Sequence, residues 1–420
     1  MDYLEVNGGK VLKGEVKISG AKNAAFPILS ACLLIEGKCT IGNIPKILDV
    51  QNFLDQLKKL GIKVKEKDNE YEIDATTLSK TEIPPEEAAN IRGTQTLLGA
   101  LVARAKSATI ASLGGCNIGK RPIDLHIKGL EGLGVEVSWD KGTLKARVPK
   151  TLKGNKIFLD YPSVGATENI ILASVLAEGE TIIENAAREP EIKDLIDFLN
   201  VAGANITQNG SGSTIIVKGV KKLKPVSHYS IIPDRIEAST YLILAGLTKG
   251  SIKVTNVIPA HLEAVIMKLK ETGLNIDVKE NSITSTYKGK LLGTNVKTLP
   301  YPGFPTDVQS QMLSLLTIAE GSSVITETVF ENRFRIVDDL IKMGADIRVE
   351  DKAAFITGVK SLKPSVVTAT DLRGGMSLVL ATLSANGTSK VLDPIHIDRG
   401  YENYIGKIRS LGGEIERKNS

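Results

Sequence analysis

The chain has 420 residues, 42% hydrophobic and 24% charged, a balance that fits two or three folded domains and excludes a disordered or fibrous protein. Fifty-three Lys and Arg against 48 Asp and Glu leave a net charge of +5, too small and too dispersed for a nucleic-acid partner, while small anionic substrates stay open. Aromatic residues are only 4%, with Trp139 the single tryptophan, which argues against a surface that stacks bases or sugars on aromatic faces.

The first residues, Met1-Asp2-Tyr3-Leu4-Glu5, lack a basic segment followed by an apolar one, so no signal peptide is expected. The first long apolar run, 24–35, contains Pro27 and Ser30 and falls short of the ~18 residues that span a bilayer, so neither membrane insertion nor a non-cytoplasmic location is expected. Beyond that run, from Leu57, a pattern begins that recurs along the chain. An apolar residue is followed, after three positions, by Gly and an alternating strand start: Leu57-Lys-Lys-Leu-Gly61, Leu130-Glu-Gly-Leu-Gly134, Leu199-Asn-Val-Ala-Gly203, Leu269-Lys-Glu-Thr-Gly273, Leu340-Ile-Lys-Met-Gly344 and Ile408-Arg-Ser-Leu-Gly412. The glycines are 73, 69, 70, 71 and 68 positions apart. Each stands where a helix end needs a left-handed residue before the chain turns into a strand.

The apolar runs 24–35, 96–105, 167–177, 238–247, 308–319 and 376–385 keep the same beat and are apolar nearly all round, as buried helices are. Each unit therefore reads as buried helix, strand, amphipathic helix, Gly, strand, turn and strand, an α/β repeat of about 70 residues. The sixth, starting at Arg373, has 420 − 372 = 48 residues and lacks its final strands, which residues 3–19 can supply. Six units divide as three plus three. Residues 1–20 with 230–420 are expected to form one discontinuous domain, and 21–229 a second that carries the Cys116 loop. The segment His228 to Asp234 is the connector, and two crossings imply a hinge.

Polar residues at the starts of the buried helices are the informative ones, because helix N-termini favour anions. They are Lys22-Asn23, Arg92, Ser163-Val164-Gly165, Arg235, Asp307 and Arg373, four of the six places bearing a cation. Three connections add polar clusters: Gly114-Gly-Cys116-Asn-Ile-Gly-Lys-Arg121-Pro122-Ile123-Asp124-Leu125-His126, Glu331-Asn-Arg333, and His396-Ile-Asp-Arg399-Gly. Cys116, in a Gly-rich loop before two cations, has the surroundings that lower a thiol pKa, whereas Cys32 and Cys39 read as small buried hydrophobes. An odd cysteine count gives no disulfide framework, and reduced thiols are expected. The four histidines lack metal-ligand spacing, and no CxxC, HExxH, Walker or Rossmann loop occurs, so neither a metal nor a cofactor is expected.

These strings, together with Pro233-Asp-Arg-Ile-Glu237, Phe304-Pro-Thr-Asp307, Thr328-Val329-Phe-Glu-Asn-Arg333 and Ala369-Thr-Asp-Leu-Arg373, resemble the UDP-N-acetylglucosamine 1-carboxyvinyltransferase (enolpyruvyl transferase) family over the whole chain. The resemblance implies a two-domain inside-out α/β barrel. It also implies transfer of the enolpyruvyl group of phosphoenolpyruvate to the 3-hydroxyl of UDP-N-acetylglucosamine with release of phosphate, the first committed step of peptidoglycan synthesis. Lys22, Asn23, Arg121 and Arg399 would hold phosphoenolpyruvate, with Arg92 and Arg373 close by. Arg92, Arg121 through Leu125 (Pro122, Ile123 and Asp124 between them), Ser163, Val164, Gly165, Asp307 and Val329 would serve the nucleotide sugar, and Arg333 is a further substrate-binding residue. Cys116 would be the general acid, open to covalent modification by the epoxide fosfomycin, and Asp307 the base on the sugar hydroxyl; Asp49 and Asp371 fall at positions linked to support and proton traffic. Tyr161-Pro162 departs from relatives with Lys-Val there, which touches one minor nucleotide contact. Two alternatives are a 3-phosphoshikimate 1-carboxyvinyltransferase, which lacks the Cys loop, and a non-catalytic sugar-nucleotide sensor, which would lack Cys116, Asp307 or Lys22.

Overall fold

A computed structural model describes residues 2–84, 92–110 and 123–419. The described residues form two units, one of residues 20–84, 92–110 and 123–232, called below the unit of residues 20–232, and one of residues 2–19 with 233–419, each with its own apolar core. Each holds three four-stranded sheets packed around three central helices, so the fold is the inside-out α/β barrel with three repeats per unit.

In the unit of residues 20–232 the central helices are Lys22–Ala31, Leu97–Ala105 and Val164–Ser174. In the other they are Arg235–Leu247, Gln309–Leu316 and Leu372–Ser384, and every residue of the first of these is buried. Burial on all sides accounts for helices with no polar face. The outer helices are one-sided: Leu48–Lys59 buries Val50, Phe53, Leu54 and Leu57, the spacing of a single stripe. The six glycines of the repeat end their helices with φ between 86° and 94°. At Gly99 the requirement is space: an added Cβ would lie 2.3 Å from the carbonyl oxygen of Asn169, so two central helices meet there backbone to backbone.

The third repeat shows the plan. Edge strand Lys156–Phe158 leads into the central helix, the next strand Glu180–Glu184 lies parallel to it, and Thr214–Lys218 then Asn205–Gln208 complete the sheet antiparallel. The sixth repeat lacks only one strand: it has its own Glu414–Asn419, and Asp2–Gly8 enters between that strand and Gly387–Leu392. The second N-terminal strand, Lys13–Lys17, does not join it. It pairs parallel with Ser251–Thr255 of the fourth repeat. The reason is an exchange at the crossings. Lys13–Lys17 precedes the first central helix yet edges the fourth sheet, while Tyr229–Ser230, inside the segment read as a connector, precedes the fourth helix yet edges the first sheet against Lys38–Gly42. Asp194 anchors this second edge, accepting from Tyr229 Oη at 2.6 Å and from the Ile232 N–H at 3.2 Å. Cys32 and Cys39 are buried and unbridged. Among the described residues no helix is long and apolar enough to cross a membrane.

Candidate active site

In the unit of residues 20–232, Lys22 opens the first central helix and its Nζ lies 2.6 Å from Asp49 Oδ2, on the first turn of the outer helix Leu48–Lys59. The two side chains are 13% and 3% exposed, so the pair sits largely out of water, where screening is weak. The Lys22 ammonium also lies 5.9 Å from the Phe26 ring centroid, and Phe26 rests on Phe53 at 5.1 Å. Asn23 follows, half-buried. Arg92 opens the turn Arg92–Thr96. Cys116, Arg121 and Pro122, with the loop that carries them, lie outside the described residues.

The third central helix begins at Val164, with Ser163 as its cap: the hydroxyl accepts the Ala166 N–H at 3.4 Å. Ser163, Val164 and Gly165 are half-buried, as are Ile123 and Leu125 on the opposing segment, while Asp124 is exposed. What holds these segments together is a residue the motifs did not single out. Asn169 Oδ1 accepts the Gly99 N–H at 2.6 Å, and its amide nitrogen faces the carbonyls of Gln95 and Gly165 at 3.0 and 3.1 Å and Nδ1 of His126 at 3.0 Å. Carbonyls only accept, so the amide nitrogen donates to Nδ1, and the proton of the neutral His126 ring is on Nε2. His126 in turn packs against Gly165, where an added Cβ would come within 2.8 Å of Cε1.

Burial pushes the His126 pKa down to about 4, against a small opposing pull from Asp124. The unfolded histidine titrates near 6.5, so the native state resists proton uptake between these values and stability falls as pH drops from 6.5 to about 4. Asp194 works in the opposite sense, since burial lifts it to about 6 and favours its protonated form. The expected outcome is read as a difference. Against His126→Gln, the wild type loses on the order of 3 kcal/mol of unfolding free energy over this window, measured by urea unfolding at both ends. Parallel curves for the two proteins would show that His126 is not the group responsible.

In the other unit, Asp307 stands in the single 3-10 turn Thr306–Val308, just before the helix Gln309–Leu316. Its Oδ1 accepts a hydrogen bond from Arg333 Nη2, and its Oδ2 one from Arg373 Nη2 at 3.2 Å. Arg333 and Arg373 are 2% and 4% exposed and Asp307 24%, so two buried cations share one carboxylate at the rim. Burial disfavours the Arg373 charge, but Asp307 together with Tyr401 and Asp234 outweighs this and keeps the guanidinium cationic beyond its ordinary range. Arg333 lies 5.3 Å from the Phe330 ring centroid and Arg373 5.4 Å from that of Tyr401. The Tyr401 hydroxyl, at 2.9 Å from Thr240 Oγ1 and 3.0 Å from Gln311 Nε2, ties this stack to the other two central helices of the unit. Among the described residues, Arg333 Nε and Arg373 Nη1 are buried donors with no acceptor, in a trio whose formal charge is net positive.

Asp371 does not join the trio. It caps the helix Leu372–Ser384, accepting the N–H groups of Arg373 and Gly374 at 3.0 Å each. Arg235 lies 5.6 Å from the Tyr301 ring centroid. Arg399 is half-buried at the end of the short helix Ile395–Asp398. Val329 is half-buried, its N–H held by Glu327. Asn169 and Glu327 stand in none of the motifs; the signal available was a polar side chain inside or beside an otherwise apolar run, while Tyr401 follows the His396–Gly400 cluster directly. Among the described residues no group of three or more His, Cys, Asp or Glu is arranged to hold a metal ion.

Residues 6–408 match the family described as EPSP synthase (3-phosphoshikimate 1-carboxyvinyltransferase). Within that group, the chain is 49% identical to UDP-N-acetylglucosamine 1-carboxyvinyltransferase 2 of Carboxydothermus hydrogenoformans, over 99% of both chains. It is 48% identical to UDP-N-acetylglucosamine 1-carboxyvinyltransferase of Clostridium botulinum, over 99% of this chain and 100% of the other. The chain belongs to the UDP-N-acetylglucosamine 1-carboxyvinyltransferase family. Among solved structures, the enolpyruvyl transferase NikO from Streptomyces tendae matches with a TM-score of 0.90 at 24% identity, covering 100% of this chain and 99% of that one. EPSP synthase from Acinetobacter baumannii matches with a TM-score of 0.78 at 19% identity over 100% of both. At those identities the likeness is one of fold. The family's members are transferases, and among the described candidate residues the trio around Asp307 and the Lys22–Asp49 pair are joined by ion pairs.

Proposed function

We propose that this chain transfers the enolpyruvyl group of phosphoenolpyruvate to the 3-hydroxyl of UDP-N-acetylglucosamine, releasing phosphate, in the cytoplasm and as the first committed step of peptidoglycan synthesis. One observation carries the reading: in a chain nearly half identical to carboxyvinyltransferases over its length, a carboxylate at a helix start is gripped by two buried arginines, each with a donor that meets no acceptor among the described residues. A carboxylate accepts more than two hydrogen bonds, so Asp307 takes the proton of the sugar hydroxyl without surrendering its arginines. The alkoxide oxygen adds to C2 of phosphoenolpyruvate while Cys116 delivers a proton to the C3 methylene. Loss of phosphate and of one C3 proton then restores the double bond in the product.

Lys22, Asn23, Arg121 and Arg399 hold the phosphate and carboxylate of phosphoenolpyruvate, with Arg92 and Arg373 beside them. Fixed cations of this kind stabilise charge as it develops. Ser163, Val164 and Gly165, with 121–125 and Val329, receive the nucleotide sugar, and Arg333 orients Asp307. The test is phosphate release from phosphoenolpyruvate with and without UDP-N-acetylglucosamine. Release that depends on the nucleotide sugar is expected. Release driven instead by shikimate 3-phosphate would favour the EPSP synthase reaction, and nucleotide-sugar binding with no release would leave a sensor.

A further inference from the structure

The segment that delivers Asp307 is held by a carboxylate that the proposed reaction does not consume. Glu327 follows the strand Ser322–Thr326 and is 2% exposed. Its Oε1 accepts from Thr298 Oγ1 at 2.8 Å and from the N–H groups of Val329 and Phe330 at 2.7 and 3.1 Å. Its Oε2 accepts from Thr306 Oγ1 at 2.9 Å. Among the described residues these donors are hydroxyls and amides, with no cation, so the buried charge rests on four neutral donors from three segments.

Those segments converge on the trio. Thr298 and Thr306 are the two ends of one loop, which folds back through a hydrogen bond from the Leu299 N–H to the Phe304 carbonyl at 3.0 Å. Thr298 is pinned again by Thr328, whose N–H reaches its Oγ1 at 2.9 Å and whose hydroxyl reaches its carbonyl at 2.6 Å. Thr306 precedes Asp307 directly, Val329 is a proposed sugar contact, and Phe330 carries the ring against which Arg333 lies. A carboxylate that merely capped the turn at 327–330 would need only the two backbone bonds. The bond to Thr306, made by the other oxygen, links that turn to Asp307.

We infer that Glu327 is a positioning residue: it fixes Asp307 against Arg333 and holds Val329 in register for the nucleotide sugar. This rests on the function proposed above. The geometry of a base and its substrate matters at the scale of an ångström, so releasing both segments should weaken turnover and sugar binding together.

The test is steady-state kinetics on the full chain, with the folded fraction followed by circular dichroism. Glu327→Ala is expected to lower kcat about tenfold or more and raise KM for UDP-N-acetylglucosamine about fivefold, with KM for phosphoenolpyruvate within about twofold. Glu327→Gln keeps an acceptor for Thr298, Val329 and Phe330 and offers N–H to Thr306 Oγ1, so it should restore kcat to within about threefold. Thr306→Val, which cuts only the arm to Asp307, should lower kcat about fivefold with KM for the sugar unchanged, and Thr306→Ser should restore it. A kcat loss in Glu327→Ala that tracks the unfolded fraction with KM unmoved would overturn the inference. Should that variant fail to fold, wild-type kcat in Thr306→Val overturns it. If the wild type itself releases no phosphate, the proposed reaction fails, and calorimetric binding of UDP-N-acetylglucosamine decides on Glu327: about fivefold weaker binding by Glu327→Ala supports the role, and equal affinity removes it.

Discussion

Asp307→Ala is expected to lose turnover by about a thousandfold and, in addition, to melt earlier than the wild type. The sequence argument alone expects the fold to be untouched, because Asp307 reads there as a catalytic group at a helix start. The structure adds a second duty. Asp307 is the shared counter-ion of Arg333 and Arg373, both buried, so its removal leaves two guanidinium groups facing each other with little water to screen them. Breaking such a pair by deleting one partner costs about 3–5 kcal/mol in buried settings, and rather less here because Asp307 itself is partly open to solvent. The two duties separate experimentally. Sulfate or phosphate should bind the vacated cations and recover part of the lost melting temperature in Asp307→Ala, with no return of phosphate release. A variant that kept more than a tenth of the wild-type rate, a barrier change below about 1.4 kcal/mol, would end the case for a general base.

Lys22→Met is expected to abolish saturable use of phosphoenolpyruvate, lowering kcat/KM for it by about a thousandfold, while calorimetric binding of UDP-N-acetylglucosamine alone changes by less than about twofold. Methionine keeps an apolar stem over Phe26 and removes only the charge. The carboxylate of Asp49 then loses a cation at 2.6 Å, so a stability loss accompanies the kinetic one. The double variant Lys22→Met with Asp49→Asn removes both charges. It should regain melting temperature but not phosphoenolpyruvate use, which distinguishes a ligand-binding ammonium from one retained only to neutralise Asp49. Equal loss of nucleotide-sugar binding would refute the assignment of Lys22.

The repeat was legible because it is written in local chemistry. A Gly at a left-handed helix end, an apolar helix and an alternating strand are each set by a few neighbouring residues, and their period survives all else. The pairings were less legible. That the N-terminus supplies a strand to the sixth repeat follows from counting, yet the second N-terminal strand went to the fourth sheet, because edge pairing is decided by which chain segment passes by. The charged residues of the trio were each readable as candidates from motifs. Their joint geometry was not, since Arg373 and Asp307 are 66 positions apart and nothing local couples them. Glu327 and Asn169 were hidden for a related reason: a Glu beside a strand end or an Asn within an apolar helix reads as ordinary until its donors and acceptors are known.

The exchange of edge strands bears on how the chain acquires its fold. Residues 20–232 are continuous and include both strands that edge their first sheet, so this unit can complete itself while the rest is still being synthesised. The other cannot. Asp2–Gly8 must wait as an unpaired strand until Gly387–Leu392 emerges and is flanked on both sides only once Glu414–Asn419 follows, and closing that loop joins Asn7 to Glu414 across 407 positions. Asp2 and Asn419 are register partners in the finished sheet, so the two ends of the described chain lie side by side. A circular permutant that joins them by a short linker and opens the chain between Ile232 and Pro233 would make each unit one uninterrupted stretch, replace two crossings by one, and relieve the first-made strand of its wait.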